Sequence, residues 1–395
     1  MASLATSSWN NVSIVTLGLD ITSSYVYLGL ITERQYFYIE CCSLLVVGMV
    51  SLFGGVSNVI NIVTFLSMGI AESMTVFLLL LAFSDLAYLL VMFFNTVLYI
   101  LYLVEKVSNY STWFYFNPDG ARTFCAHTSN VCNTMNILLT MHMAVVRCLA
   151  VIRPLHFRNV LSGKKTLPIV SVYLLFSLLT YIPILAFMGR DVTFDPKVNA
   201  SRLVTWISPQ REKVKNIIWL VRDAILPFAA QVIVIACVVV MTVALKASAH
   251  FRSANTTSAS HAQATATSQV QPATASHVQT ATASQNQTDN TEIKDNMRLL
   301  QRSSNLSRKD VHVIQQLVLV CLVFVVFNTP RVVFSLASLA EDKFSLGGVY
   351  HYLYLTGACL VFLFQVLNSS LHVFIYYKYS STFRQHFMAK FIFQI

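Results

Sequence analysis

Residues 123–157 read TFCAHTSNVCNTMNILLTMHMAVVRCLAVIRPLHF and are the most informative part of the chain. The stretch carries no charged side chain from Thr123 to Val146 and turns basic at Arg147. An uncharged run of this length reaches the roughly 20 residues that a helix needs to cross about 30 Å of hydrocarbon. The stretch therefore predicts a membrane helix that ends at a lone arginine, followed by a basic segment that contains Pro154.

The composition of the whole chain also indicates a membrane protein. Of its 395 residues, 55% are hydrophobic and only 11% are charged, whereas about 25% of residues are charged in a soluble globular domain. The mean hydropathy is +0.61, so one soluble core cannot bury the apolar surface. We attribute the net charge of +10 to attraction by the anionic inner leaflet rather than to nucleic-acid binding. The eight cysteines show neither a disulfide framework nor the spacing of metal ligands.

Six further apolar segments have the length of a membrane span. Together with the first stretch, they predict spans at about 41–67, 74–104, 120–152, 166–189, 214–245, 310–340 and 346–377. Lipid offers the backbone no hydrogen-bond partner, so such spans are helices. The predicted fold class is an all-α membrane protein, a seven-transmembrane helix bundle at 38–377 after an extracellular segment at 1–37. A short amphipathic eighth helix on the inner face is predicted at 378–395, because Phe383, Phe387 and Phe391 recur every four residues.

Basic residues predict the orientation of the bundle. Cytoplasmic loops carry an excess of lysine and arginine. The loop after the third span and the C-terminal tail are both basic and contain no acidic residue, so both are expected in the cytoplasm. This places the N-terminus outside and the protein in the plasma membrane. The loop at 190–215 has six cations although it is predicted to lie outside, which is evidence against this orientation. It also contains Asp191, Asp195 and Glu212, which offset part of this charge.

Three sequons lie on predicted outer segments. Asn11, Asn109 and Asn199 each stand two residues before a serine and are candidate glycosylation sites. Sequons also occur in the predicted inner loop, so they do not decide the orientation.

The loop between the fifth and sixth spans, 246–309, has low complexity. It contains SHAQATATSQVQ and the imperfect copy SHVQTATASQNQ. Alanine, threonine, serine and glutamine cannot offset the entropy of ordering a chain, so this loop is predicted to be disordered.

A single carboxylate, Asp85, interrupts the apolar second span in LLLLAFSDLAYLL. A charge near the bilayer centre costs about 2.5–3.5 kcal/mol on insertion scales, so it is a functional candidate and needs partners. Polar side chains at suitable depths on other spans are Asn58, Asn136, Asn368, Ser369 and His372. We expect a polar core here, in which a sodium ion is one candidate occupant. A packing network without a switching role is the alternative.

Three more charges lie within predicted spans. Arg222 and Asp223 are close to a proline of the fifth span, and Arg331 directly follows Pro330 in the sixth. Prolines at such depths kink helices, and we expect the kinks to open a cavity toward the outside. These three charged residues and Asn328 are the candidate ligand-binding residues, and Asp223 and Arg331 either pair with each other or meet a charged ligand. An ion pair that no ligand touches is the alternative.

Taken together, these motifs resemble those of the rhodopsin-like (class A) G-protein-coupled receptors. Seven landmarks match in order along the membrane region: Asn58 in GGVSNVINIV, Asp85 in LAFSDL, Arg147 with Pro154 in VVRCLAVIRPLHF, Pro183 late in the fourth span, Pro227 in the fifth, Phe324 with Pro330 in FVVFNTP, and Tyr376 in NSSLHVFIYYKYSSTFR. The last segment looks most like invertebrate neuropeptide receptors and the related molluscan chemosensory receptors.

The resemblance implies a ligand cavity that opens outward and helix movement at the inner face. It assigns G-protein coupling and activation to Arg147, Pro154, Phe324, Pro330 and Tyr376. It also places a sodium-linked centre at Asp85. The partners that it implies are a heterotrimeric G protein, an extracellular ligand, arrestin, a receptor kinase and the lipid bilayer, with no cofactor.

The chain departs from the family pattern at several positions. Val146 and Cys148 flank Arg147 where an acid and an aromatic residue are usual. His372 and Val373 replace the usual Asn-Pro pair near the end of the seventh span. The second outer loop has no cysteine for the disulfide that normally reaches the third span.

The expected function is a receptor that binds an extracellular neuropeptide and activates a G protein. The third span has no acid between Asp119 and Arg147 to act as the counter-ion of an amine ligand, and residues 344–377 contain no lysine for a retinal Schiff base. A chemosensory receptor for an environmental chemical is the alternative within the family. A seven-helix ligand-gated channel would need the N-terminus inside, and a transporter would need an inverted repeat, which the chain lacks. No enzyme motif is present.

Overall fold

The computed structural model describes residues 31–69, 73–152, 163–266 and 308–392. Its long helices are α1 (Glu33–Met68), α2 (Ser73–Val107), α3 (Pro118–Ile152), α4 (Gly163–Leu179), α7 (Leu226–Ala266), α8 (Arg308–Ala340) and α9 (His351–Ser370). The shorter elements are α5 (Ile182–Leu185), β1 (Met188–Asp195), β2 (Ala200–Ile207), α6 (Arg211–Trp219), a π-helical turn (Leu220–Ile225), α10 (His372–Tyr379) and α11 (Ser381–Phe391).

Seven helical segments of the described chain are long and apolar enough to cross a membrane. They are Glu33–Met68, Met74–Val107, Pro118–Ile152, Thr166–Leu185, Ile217–Ala247, Val313–Ala340 and His351–Tyr379, with mean hydropathies between 1.8 and 2.7. The seven predicted spans are thus confirmed in number and order. The short helix α11 follows them, as predicted for the C-terminal segment.

Helix α3 lies at the centre of the bundle. It packs against α2, α4, α7 and α8, and Leu139, Met143 and Ala144 are fully enclosed. Helix α1 packs against α2 and α9. Gly54 permits this close approach, because a Cβ atom there would lie 2.1 Å from the hydroxyl oxygen of Ser370. Many apolar side chains elsewhere on the helices are exposed, as expected where the surroundings are lipid rather than water.

The fourth and seventh spans are shorter than predicted. α4 stops at Leu179, the short helix α5 covers Ile182–Leu185, and β1 begins at Met188, so the predicted span at 166–189 is interrupted and ends early. Pro183 explains the interruption after Leu179, because it has no N–H for the carbonyl of Leu179. The seventh span begins at His351 instead of 346, after a turn in which Gly347 has a φ of 83°.

A β-hairpin follows the fourth span, where the sequence predicts only a loop. β1 and β2 pair antiparallel from Met188↔Ile207 to Asp195↔Ala200. The loop between α2 and α3 adds a third short stretch, because Leu203 N donates to Tyr115 O at 2.9 Å and Asn117 N donates to Leu203 O at 2.9 Å. We call this side of the bundle the hairpin end and the opposite side the Arg147 end.

The fifth membrane helix runs beyond its predicted end. α7 continues to Ala266, so the first part of the loop at 246–309 is helical where the sequence predicts disorder. The segment is rich in alanine, the best helix former, and an existing helix extends more easily than a new one starts. The rest of that loop, 267–307, lies outside the described residues.

A buried ion-pair network holds the hairpin to α2. This loop clasp consists of Arg202, Glu105 and Asp195. Arg202 Nη1 lies 2.7 Å from Glu105 Oε1, and its Nη2 lies 2.7 Å from Asp195 Oδ2. Glu105 Oε1 also accepts a hydrogen bond of 3.0 Å from Phe114 N. All eight cysteines are free, so the clasp joins the hairpin to the bundle where the resemblance would lead one to expect a disulfide.

Replacing Arg202 by methionine should destabilise the protein, because Glu105 and Asp195 would stay buried without a counter-charge. Breaking a buried pair in this way typically costs about 3–5 kcal/mol. The thermal unfolding midpoint of the purified protein should therefore fall clearly below that of the wild type. Lys197→Met is the control, since Lys197 is exposed on the same hairpin and its replacement should leave the midpoint unchanged. Equal midpoints for both variants would show that the clasp does not hold the hairpin.

Candidate ligand-binding and signalling sites

Two buried clusters of polar side chains lie inside the helix bundle. The Asp85 cluster comprises Asp85 and the polar residues predicted around it. The arginine cluster comprises Arg222, Asp223 and Arg331.

Asp85 is completely buried and is held from two sides. Asn136 Nδ2, on α3, donates to Asp85 Oδ1 at 2.9 Å. His372 Nδ1, at the start of α10, lies 2.9 Å from Asp85 Oδ2. The carboxylate therefore connects the second, third and seventh spans.

The other predicted members of the Asp85 cluster lie on α1 and α9. Asn58 Nδ2 donates to the backbone oxygen of Ser369 at 2.8 Å and to that of Gly54 at 3.0 Å. Asn61, which the sequence analysis missed, donates to Asn58 Oδ1 at 3.3 Å. Asn61 follows Asn58 by three residues on one helix, and this spacing could have indicated that the two side chains are neighbours. Asn368 is half-buried, and its Oδ1 atom has no hydrogen-bond partner among the described residues.

The groups next to the Asp85 carboxylate are two nitrogen atoms and the side chain of Ser369. Each carboxylate oxygen faces a nitrogen atom, one of Asn136 and one of His372. A hard cation requires several oxygen ligands around the carboxylate. As arranged, the cluster is a hydrogen-bonded network in which the imidazole stands beside the carboxylate.

The arginine cluster brings together three of the four predicted ligand-binding residues. Arg222 Nη2 lies 2.7 Å from Asp223 Oδ2, and Arg222 Nε donates to Asp223 Oδ1 at 3.2 Å. Arg331 Nη2, on α8, donates to the same Oδ1 atom at 2.5 Å. The three residues are only 3%, 7% and 4% exposed, respectively. One carboxylate therefore joins two guanidinium groups from neighbouring helices.

The backbone near Asp223 explains how the cluster is positioned. Arg222 and Asp223 lie in the π-helical turn, and π-helical turns occur often at functional sites. Pro227 has no N–H to offer the carbonyl oxygen of Asp223, four residues earlier. Ser335 Oγ donates to that oxygen at 2.8 Å instead. Ser335 was missed by the sequence analysis, although it follows Arg331 by one helical turn.

The side chain of Asn328 forms its hydrogen bond with a neutral residue and not with the arginine cluster. Its Nδ2 atom donates to Gln231 Oε1 at 3.0 Å. Gln231 Nε2 in turn donates at 3.0 Å to both Val325 O and Thr329 Oγ1. Asn328 therefore belongs to a network between α7 and α8. Gln231, a lone amide in an apolar span, was the missed partner.

A separate groove of about 370 Å³ lies at the hairpin end. Its lining includes Phe94, Phe124 and Arg190, and the Arg190 guanidinium lies 4.6 Å from the centre of the Phe124 ring. None of the predicted ligand-binding residues lines this groove.

The residues predicted for activation lie toward the Arg147 end. Arg147 is half-buried near the end of α3, next to the buried Val146. Phe324 and Tyr376 are both buried. The Tyr376 ring packs edge-on against Phe65, with 5.1 Å between the ring centres. Phe324 and Tyr376 thus belong to one apolar core.

Of the two prolines predicted to take part in activation, the structure describes one. Pro330 lies inside α8, which continues through it to Ala340. Pro154 lies outside the described residues.

The candidate glycosylation sites are accessible where the structure describes them. Asn109 and Asn199 are exposed, both at the hairpin end, and both adopt a positive φ, of 48° and 51°. Asparagine tolerates this conformation better than most residues. Asn11 lies outside the described residues.

Comparison with known proteins identifies the family of the chain. No curated protein matches it. A family model described as 7 transmembrane receptor (rhodopsin family) matches residues 57–371, a range that includes Asp85, Arg147 and the whole arginine cluster. Because this range covers well over half of the 395 residues, the chain belongs to the rhodopsin family of seven-transmembrane receptors.

Proposed function

We propose that this receptor binds an extracellular ligand at the arginine cluster and activates a heterotrimeric G protein at the Arg147 end. The proposal is carried by one observation. A buried charged cluster on the fifth and sixth spans and the family's activation arginine, Arg147, lie within one bundle, and α8 contributes to the cores around both. A receptor needs two such sites joined by a movable element.

The proposed orientation puts the hairpin end outside the plasma membrane. The sequon asparagines Asn109 and Asn199 are exposed at this end, which is compatible with it. The basic, acid-free loop and tail support a cytoplasmic Arg147 end. The six cations of the loop at 190–215 no longer argue strongly against this orientation, because Arg202 is neutralised within the loop clasp.

Helix α8 is the proposed moving element. Arg331 lies two helical turns beyond Phe324 on the same helix, so a ligand that pulls on Arg331 also shifts Phe324 in the apolar core. Gln231 connects α7 with α8 between these two levels. Movement of α8 against α7 would then open the Arg147 end to the G protein, with arrestin and a receptor kinase as further partners there.

The proposed ligand is a neuropeptide. The β-hairpin exposes apolar side chains, among them Val192 and Phe194, as well as the charged Arg190. Such a mixed surface beside the bundle suits a peptide that extends beyond the buried cluster. A chemosensory receptor for an environmental chemical is the second candidate, and it is favoured by the enclosed, strongly charged character of the arginine cluster, which suits a small polar molecule.

Replacing Arg147 by alanine should abolish G-protein activation without affecting folding, because the proposed contact with the G protein depends on this cation. Nucleotide exchange on a promiscuous G protein in membranes should fall to the level of receptor-free membranes, while surface expression stays normal. Arg34→Ala is the matched control, since Arg34 is exposed at the start of α1, at the opposite end. Unchanged exchange in Arg147→Ala would refute the role.

An epitope tag at the N-terminus should be stained in unpermeabilised cells, and a C-terminal tag only after permeabilisation. This follows from the charge distribution, which keeps basic loops in the cytoplasm. The reverse staining pattern would contradict the receptor orientation and favour a seven-helix ligand-gated channel.

Sodium should not stabilise the wild-type receptor, because nitrogen atoms already face both oxygens of Asp85. His372→Asn places an amide oxygen within reach of a cation at this position, so this variant should unfold at a higher temperature in sodium chloride than in choline chloride. The measurement is the thermal unfolding midpoint of each protein in the two salts. A sodium-dependent shift in the wild type would show that His372 leaves room for the ion.

A further inference from the structure

We propose that Arg222 and Arg331 bind an oxyanion, most simply a carboxylate, which the ligand of this receptor carries. The inference rests on the proposed function in one respect, since it takes the arginine cluster as the ligand site. It goes further by naming the chemical group that the site recognises.

The charges of the cluster do not balance. Two guanidinium groups share the single carboxylate of Asp223. Ser335 adds no charge, because its neutral hydroxyl donates to the backbone oxygen of Asp223. A buried charge without a counter-charge is costly. An incoming anion would restore neutrality.

The unused hydrogen-bond donors point to the same kind of group. Asp223 is bonded to Nη2 of both arginines and to Nε of Arg222. Nη1 of Arg222 and Nη1 of Arg331 are buried and have no hydrogen-bond partner within the described chain. Nearly all buried polar groups in proteins are hydrogen-bonded. Guanidinium groups bind carboxylates and phosphates with particular strength, through paired hydrogen bonds.

The position of the two donors gives the anion a mechanical role. Arg222 lies in the π-helical turn that precedes α7, and Arg331 lies on α8. An oxyanion held by both would join these two elements more firmly than Asp223 does alone. The anion would therefore act on the helix pair whose relative movement is proposed to activate the receptor.

The test uses full-length receptor in lipid nanodiscs and pairs of probes that differ only in charge. N-acetyl-phenylalanine, a mimic of a free peptide C-terminus, is compared with N-acetyl-phenylalaninamide, and benzoate is compared with benzamide. At least one of the two acids should raise the thermal unfolding midpoint, whereas its amide should not. If only N-acetyl-phenylalanine has this effect, the carboxylate that the site binds is a peptide C-terminus. If benzoate has it, the site accepts a small organic acid.

Variants of the cluster sharpen the test. Arg331→Gln leaves Asp223 paired with Arg222 in a balanced ion pair, so the protein should fold, but the stabilising acid should bind at least about tenfold more weakly, as expected for loss of a charged hydrogen bond. Arg222→Gln should behave in the same way. Asp223→Asn removes the competing carboxylate and should strengthen binding of the acid. Lys197→Gln, on the exposed hairpin turn, should bind as the wild type does.

The proposal is overturned if acids and amides act alike, or if neither acid shifts the midpoint. It is also overturned if both arginine variants bind the acid as tightly as the wild type. Because unfolding is measured without a G protein, these results are independent of nucleotide exchange. A receptor that binds acids but activates no G protein would contradict the proposed function and leave the anion site standing.

Discussion

A charge enclosed by lipid-facing helices must find its partners within the protein, and this constraint organises the bundle. Asp85 has no access to water, and it meets Asn136 from the third span and His372 from the seventh. Because these partners come from distant parts of the chain, the carboxylate fixes the relative depth of three helices. The close contact at Gly54 brings the first helix to the same level.

The same constraint is met to different degrees in the loop clasp, the Asp85 cluster and the arginine cluster. In the loop clasp, one guanidinium group faces two carboxylates at 2.7 Å, and a backbone N–H completes the network. In the Asp85 cluster, both carboxylate oxygens have a partner. The arginine cluster differs, because two cations share one acid and two guanidinium nitrogens are left over. An incomplete network costs stability, and proteins keep such costs mainly where a site needs them.

Much of the fold was predictable, because hydropathy and length are local properties of the sequence. The seven spans follow from uncharged runs, and the pairing of Asp85 with Asn136 and His372 follows from their depth. The hairpin was not predicted. Its two strands are neighbours in the chain, but the stretch around Phe116 that pairs with Leu203 is far away in the sequence. The loop clasp was missed for a similar reason. In the sequence, Arg202 counted as an unpaired cation against the predicted orientation, because its partner Glu105 is nearly a hundred residues away.

The candidate site was predictable only in part. Arg222, Asp223 and Arg331 were found because they are charges within predicted spans. No pattern in the sequence revealed the π-helical turn that positions the side chains of Arg222 and Asp223. Asn328 was grouped with them by its place beside a proline, yet its hydrogen bond is to Gln231. Which neighbour an amide chooses depends on helix rotation, which the sequence specifies only through the packing of the whole bundle.

The loop clasp has a consequence for how this receptor is made. An ion pair needs no oxidant to form, whereas a disulfide forms and persists in an oxidising compartment. The hairpin should therefore reach its place without disulfide isomerases and keep it in the presence of thiol reductants. Since the paired groups are buried, salt screens them little. The attachment of the hairpin is thus indifferent to redox conditions, and an ion pair of this kind can break and re-form.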